Sequence, residues 1–258
     1  MMRAMTIWHL HLLNSRHQLT AILPDIRAAA RQAVALAGAQ ADVPDFDLVL
    51  RGQPGGGIAD WGVGGHAQAP ALIEITLNPA RFDPDLLIRT LVHEMHHLIR
   101  WDGPGYGKSL GEALVSEGLA GHFVLQVLGG KPDPRDATTP SAGTARRAMS
   151  EWSRLSYDHA EWFFGRGKIR KWSGYGLGHR LIAEHLEQHP GGDAVSLAMT
   201  RADAFREAMR RLAKVDGGDS AEVETTDEEA TPDLASDAPD DSPAPQSSTA
   251  KQDGRAIP

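Results

Sequence analysis

The segment His93-Glu94-Met95-His96-His97 places two imidazoles four residues apart, with a carboxylate beside the first. On a helix turning about 100° per residue, His93 and His97 lie about 40° apart on one face, so both can reach one metal ion. Glu94 borders that face, within reach of a metal-held water, which is the arrangement of metal-assisted hydrolysis. Leu86, Leu87, Ile88, Leu91, Val92, Met95, Leu98 and Ile99 make the surrounding helix apolar on nearly every side. A helix of that kind is buried, and buried His and Glu need partners that a metal ion can supply. The chain has twelve His and no Cys, so any ligands are imidazoles and carboxylates. Disulfides, Fe–S clusters and thiolate zinc sites are excluded. Zn²⁺ is the expected ion.

A catalytic zinc usually has three protein ligands and one open position, so a third must come from elsewhere. Two carboxylates on a later helical segment compete for the place. Glu117 shares a face with Leu110, Leu114, Gly121, Val124 and Leu128, where a carboxylate is costly unless coordinated or paired, for instance with Arg100. Glu112 points away from that face and fits a capping box with Ser109 as N-cap. Glu117 is therefore the expected ligand. Gly118 and Gly121 should let its helix lie close to the one that carries the His pair.

The other histidines offer less. His96 lies off the ligand face and reads as a packing or ligand-supporting residue, and His122 could stand behind the ligands. His66 is a candidate for the cleft wall, and His159 and His179 are candidates, beside Tyr175, for a donor to a developing oxyanion. His9, His11, His17, His185 and His189 read as ordinary positions. Tyr175, between glycines at a helix start, can project into a cleft and donate to a developing oxyanion. Trp162-Phe163-Phe164 reads as core. The run from Gly103 to Ser109 imitates a phosphate loop, but Asp102 stands where its first Gly belongs and no strand enters it. Arg100 and Gly103 exclude the extended three-His zinc pattern, and a second Glu-x-x-His for a di-iron bundle is missing.

Several elements must position these groups. Leu19, Ile22, Ile26, Ala30, Ala33 and Ala37 recur at helical steps between Arg16 and Gly38. Phe46–Arg51 and Leu72–Leu77 read as strands. The Gly-rich connection from 52 to 65 predicts irregular structure. Asp83-Pro84 predicts a capped helix start, with the helix running to about Arg100 before Gly103-Pro104. A second helix is expected over about Leu110–Leu128, closed by Gly129-Gly130. Further helical patterns cover about Thr144–Leu155, Leu177–Gln188 and Asp193–Leu212. The chain therefore reads as α+β, mostly helical with a small early sheet.

Charge divides the 258 residues in two. From Asp216 onward there are twelve acidic residues against Lys251 and Arg255, and no aromatic ring. That composition cannot bury enough surface to offset ordering, so residues 1–215 are expected to fold and 216–258 to form a disordered acidic tail, solvating or partner-binding. The first 215 residues carry 24 basic and 22 acidic side chains, which leaves no basic stripe for nucleic acid. No apolar run is long enough to span a membrane and no secretory signal is evident, so a cytoplasmic protein is the expectation.

The spacing from His97 to Glu117 resembles that of gluzincins, the thermolysin-like zinc peptidases. The longer stretches LVHEMHHLIRW, SLGEALVSEGLAGHF and HAEWFFGRGKIRKWSGYGLGHRL also resemble a family of predicted zinc-dependent proteases catalogued as a domain of unknown function. The likeness runs from about Thr6 to Phe205 and includes the GVGGHA loop, SEGLA around Glu117 and the GYxxG at Gly174–Gly178. It implies a zincin-like fold and a metallopeptidase acting on a peptide or protein substrate, with the strand Leu72–Leu77 holding an extended peptide by edge pairing. His93, His97 and Glu117 would hold zinc, and Glu94 would take the proton of the zinc-bound water that attacks the scissile carbonyl. The competing reading is a non-catalytic zinc module whose acidic tail recruits a protein partner. Glu94 argues against it, since a structural site has no use for a base.

Overall fold

A computed structural model describes residues 5–216. Among them, four strands form one sheet in the order β1-β2-β4-β3: β1 Trp8–Leu13, β2 Phe46–Gly52, β3 Val63–Ala69 and β4 Leu72–Leu77. β1, β2 and β4 are parallel, and β3 runs antiparallel to β4. The helix α1, Leu23–Gln40, makes the crossover that parallel pairing of β1 and β2 requires.

The two expected strands are the interior pair. Phe46, Leu48 and Leu50 of β2 and Ile73, Ile75 and Leu77 of β4 alternate into the core. The two outer strands escape the sequence pattern. In β1, Trp8, Leu10 and Leu12 are only half-buried, between the outward His9, His11 and Leu13. β3 begins inside the Gly-rich connection, contrary to the irregular structure expected there. Val63 pairs with Leu77 and Gly65 with Ile75, so pairing to β4 imposes the extended form that Gly64 and Gly65 do not favour themselves. This arrangement also corrects the expectation for Leu72–Leu77. β4 lies between β2 and β3 and has no edge to offer, whereas β3 is the outer strand.

Helix α2, Pro84–Trp101, starts as expected, with the Asp83 carboxylate accepting from the Asp85 N–H at 2.8 Å. Helix α3, Leu110–Leu128, has Ser109 Oγ accepting from the Glu112 N–H at 3.3 Å, and Gly129 closes it. The remaining helices are α4 (Thr144–Glu151), α5 (His159–Phe164), α6 (Ser173–Gln188) and α7 (Arg206–Val215). α5 is too short to show a period. The expected last helix begins only at Arg206, after turns and a short 3₁₀ segment at Ala202–Phe205.

The sheet, α1, α2 and the end of α3 share one apolar core, and the start of α3 packs with α4 to α7 in a second. α3 thus joins the two. Gly118 does permit a close approach, but to α6 and not to α2: a Cβ there would lie 2.2 Å from the Gly178 carbonyl oxygen. Gly121 makes room instead for the Asp136 carboxylate, 2.8 Å from where its Cβ would stand. No helix among the described residues is long and apolar enough to cross a membrane. The expected acidic tail lies outside the described residues except for Asp216, whose carboxylate accepts from the Ala145 N–H at 2.9 Å and caps α4.

Candidate metal centre

α2 and α3 pack so that His93, His97 and Glu117 turn toward one point, all three buried. His93 Nε2 lies 3.1 Å from Glu117 Oε2 and 3.2 Å from His97 Nε2, and His97 Nε2 lies 3.7 Å from the same carboxylate oxygen. Tetrahedral ligands about 2.0–2.2 Å from a zinc ion are about 3.3–3.6 Å apart, so the observed triangle is close to the size such an ion requires. The donor set fits as well, since two imidazoles and a carboxylate with no thiol form a recognised zinc set. These residues could hold a metal ion.

Around the triangle, each group has its own support. His97 Nδ1 lies 3.1 Å from Ser116 Oγ, an acceptor that would fix the ring with Nε2 facing the metal position. The Tyr106 hydroxyl donates to Glu117 Oε1 at 2.8 Å, and its ring sits 5.6 Å from that of His97. Glu94 stays outside the triangle. Its Oε2 accepts from the Ala67 N–H of β3 at 3.0 Å. Strand and helix can approach there because residue 65 is Gly: a Cβ would stand 2.6 Å from Glu94 Oε1 and 2.8 Å from Thr90 Cγ2.

The electrostatics follow from two buried carboxylates among imidazoles. Burial works against the Glu117 anion, but His97 and His93 outweigh it and hold its carboxyl well below the usual range. Burial likewise opposes a charged His97, yet Glu117 and Glu94 raise its pKa. Burial, with Arg135 nearby, lowers His93 to about 3. Burial raises Glu94, and it raises the Tyr106 phenol well above its ordinary value, which keeps that hydroxyl a donor.

The remaining candidates divide sharply. His66 and His159 flank the cluster, each feeling the charge of Glu117, and His159 accepts or donates at Nδ1 to the Tyr157 hydroxyl at 3.1 Å. His122 and His179 stack on each other at 4.2 Å instead. His96 is a packing residue, as expected, with Nε2 3.0 Å from the Ala194 carbonyl. Trp162 and Phe163 are core, while Phe164 is half-exposed. Tyr175 is buried in the first turn of α6, its ring 5.0 Å from Phe163, and it feels both Glu117 and Glu94.

Arg100, the alternative partner for Glu117, turns elsewhere. It donates to the Ala198 and Thr200 carbonyls at 2.8 and 3.2 Å and to Glu112 Oε2 at 3.5 Å. Glu112 Oε1 accepts from the Ala202 N–H at 3.1 Å. Glu112 is therefore structural, as expected, but through Arg100 and Ala202 and not through the return half of a capping box.

Sequence reasoning missed Tyr106, Ser116 and Arg135. One signal was available: the chain has only three Tyr, and all three feel the charge of Glu117. What stands here is an α+β protein with a buried His–His–Glu cluster on two packed helices, able to hold a metal ion. A family model described as Predicted Zn-dependent protease (DUF2268) matches residues 31–207, and the chain belongs to that family. No curated protein matches the chain.

Proposed function

We propose that the protein is a zinc-dependent peptidase in which His93, His97 and Glu117 hold the ion and Glu94 moves the proton. The observation that carries this reading is Glu94 itself, which borders the three-ligand cluster without joining it and is aimed by the Ala67 N–H. Bound zinc would supply Lewis acidity, acidifying water and polarising a carbonyl. Glu94 accepts one proton from the attacking water as its oxygen bonds to the scissile carbonyl carbon. The same carboxyl then delivers that proton to the nitrogen as the C–N bond breaks. Tyr175 is assigned as donor to the developing oxyanion, and Ser116 and Tyr106 hold the ligands in place. An extended peptide or protein substrate is assigned to β3, the outer strand beside Glu94. The absence of Cys agrees with a cytoplasmic setting, and the acidic tail is proposed as a site for a protein partner.

Two substitutions separate chemistry from coordination. Glu94→Gln keeps its shape but cannot take a proton, so zinc should remain at one per chain while turnover falls about 10²–10⁴-fold. Glu117→Gln should lose the metal and, with it, activity. Elemental analysis beside cleavage of a broad peptide library reads both. A fully active Glu94→Gln protein would sink the mechanism, and native zinc affinity in Glu117→Gln would sink the ligand assignment.

A further inference from the structure

Between α3 and α4, the short segment around Arg135 is clamped from three sides. Arg89 of α2 pairs with Asp133 and donates to the Lys131 carbonyl at 3.1 Å. The Asp136 carboxylate sits against Gly121 of α3, one turn beyond Glu117. The Thr138 carbonyl lies where Gly176 of α6 would carry its Cβ, at 1.8 Å. A residue on such a segment is held in place. The Arg135 backbone carbonyl accepts from the Thr138 N–H at 3.3 Å, while the guanidinium forms no hydrogen bond or ion pair among the described residues.

Its surroundings say what the cation is for. The guanidinium carbon lies 5.0 Å from the ring centre of Tyr175, so the cation rests over that ring. Its neighbour Asp136 lies against Gly121, one turn beyond Glu117, and the guanidinium attracts Asp136 first and then the Glu117 and Glu94 carboxylates, which sets it on the metal side of α3. Arg135 also lines a small pocket of about 70 Å³ walled mainly by apolar surface from Ile58, Ala59, Trp61, Pro134 and Trp172. Trp61 ties this wall to the catalytic helix by donating to Thr90 Oγ1 at 3.1 Å. The two carboxylates on the pocket already have partners, Asp60 with Arg81 at 3.5 Å and Asp133 with Arg89.

We propose that Arg135 receives the free α-carboxylate of a peptide, with the last side chain in the apolar pocket and the adjoining peptide bond at the metal position. The guanidinium fork matches a carboxylate in two parallel hydrogen bonds, which a neutral chain interior cannot provide. The site is thereby a carboxypeptidase, removing C-terminal residues. This rests on the peptidase reading above, and deepens it to a substrate class.

The probes are N-acetyl-Ala-Leu with a free carboxylate and the same compound as its C-terminal amide. The zinc-loaded wild-type protein should cleave the acid with kcat/KM about 10- to 100-fold above the amide, the range of one charge-assisted contact. Arg135→Gln should bring the acid down to the level of the amide, and Arg135→Lys should fall between. Zinc content and circular dichroism check that each variant is folded. Calorimetry on the zinc-loaded Glu94→Gln protein gives a readout free of turnover, and there the acid should bind more tightly than the amide. Acid preference in binding without any cleavage would keep Arg135 in this role and remove the peptidase reading. Equal handling of acid and amide by the wild type, or binding of neither, would overturn the proposal. So would an Arg135→Gln protein that loses kcat equally on both, since that places the guanidinium at the oxyanion.

Discussion

Replacing Tyr106 by Phe removes one oxygen and leaves the ring, so it isolates a single contact. The hydroxyl donates to Glu117 Oε1 at 2.8 Å, while the other carboxylate oxygen, Oε2, faces His93 at 3.1 Å. One oxygen is thus held by the protein while the other faces the metal position. Loss of a hydrogen bond to a buried charge costs about 1.5–3 kcal/mol, which corresponds to about 10- to 150-fold in an equilibrium. Loss of a group that orients a metal ligand typically costs about 10- to 100-fold in affinity, so two independent routes reach the same range. The Phe ring keeps its packing beside His97, which limits any wider disturbance. The assay is competition for zinc against a chromophoric chelator of known affinity, read beside the rate per bound zinc. Zinc should bind about 10- to 100-fold more weakly, and turnover per bound zinc should stay within a few-fold of wild type. Unchanged zinc affinity with a large fall in turnover would refute this reasoning, because Tyr106 would then act on the substrate and not on Glu117.

Gly65→Ala should push Glu94 from its place, since the new methyl would stand 2.6 Å from Oε1; peptide cleavage should fall at least about tenfold while zinc content stays at one per chain. Glu112→Ala should cost on the order of 3 kcal/mol in urea unfolding, because it strips the fully buried Arg100 of its carboxylate; a loss below 1 kcal/mol, or an emptied metal site, would count against that role. Burial, with His122 beside it, lowers His179 from 6.5 to about 4, so the fold favours the neutral ring and its contribution, full above about pH 6.5, is lost as pH falls toward 4. With His179 partly exposed, wild type should lose about 1–2 kcal/mol more stability than His179→Asn between pH 7 and 4, both measured with chelator present; parallel profiles would refute it.

The metal cluster was legible because its residues break the pattern of the helices that carry them. Glu117 interrupts an apolar stripe, whereas Glu112 beside Ser109 does not, and helical period alone separated the two. Period did not reveal which neighbour covers a face. Gly118 shares a side of its helix with small residues, but only packing shows that α6 and not α2 lies against it. Tyr106 and Arg135 sit on connections without any period, so their approach to Glu117 is a tertiary fact that no local window contains. β3 was hidden for a related reason. Its glycines have weak strand preference, and they are required because Gly65 must pass over Glu94 without a side chain.

The contact of Gly118 with Gly178 bears on how firmly Glu117 is carried. One residue beyond Glu117, α3 meets α6 backbone against backbone, with no side chain between them to compress or rotate. The seat of Glu117 relative to α6, whose first turn carries Tyr175, is therefore set by hard atomic radii. Moving Glu117 toward or away from Tyr175 would require re-docking these two helices, which no single substitution of a ligand achieves.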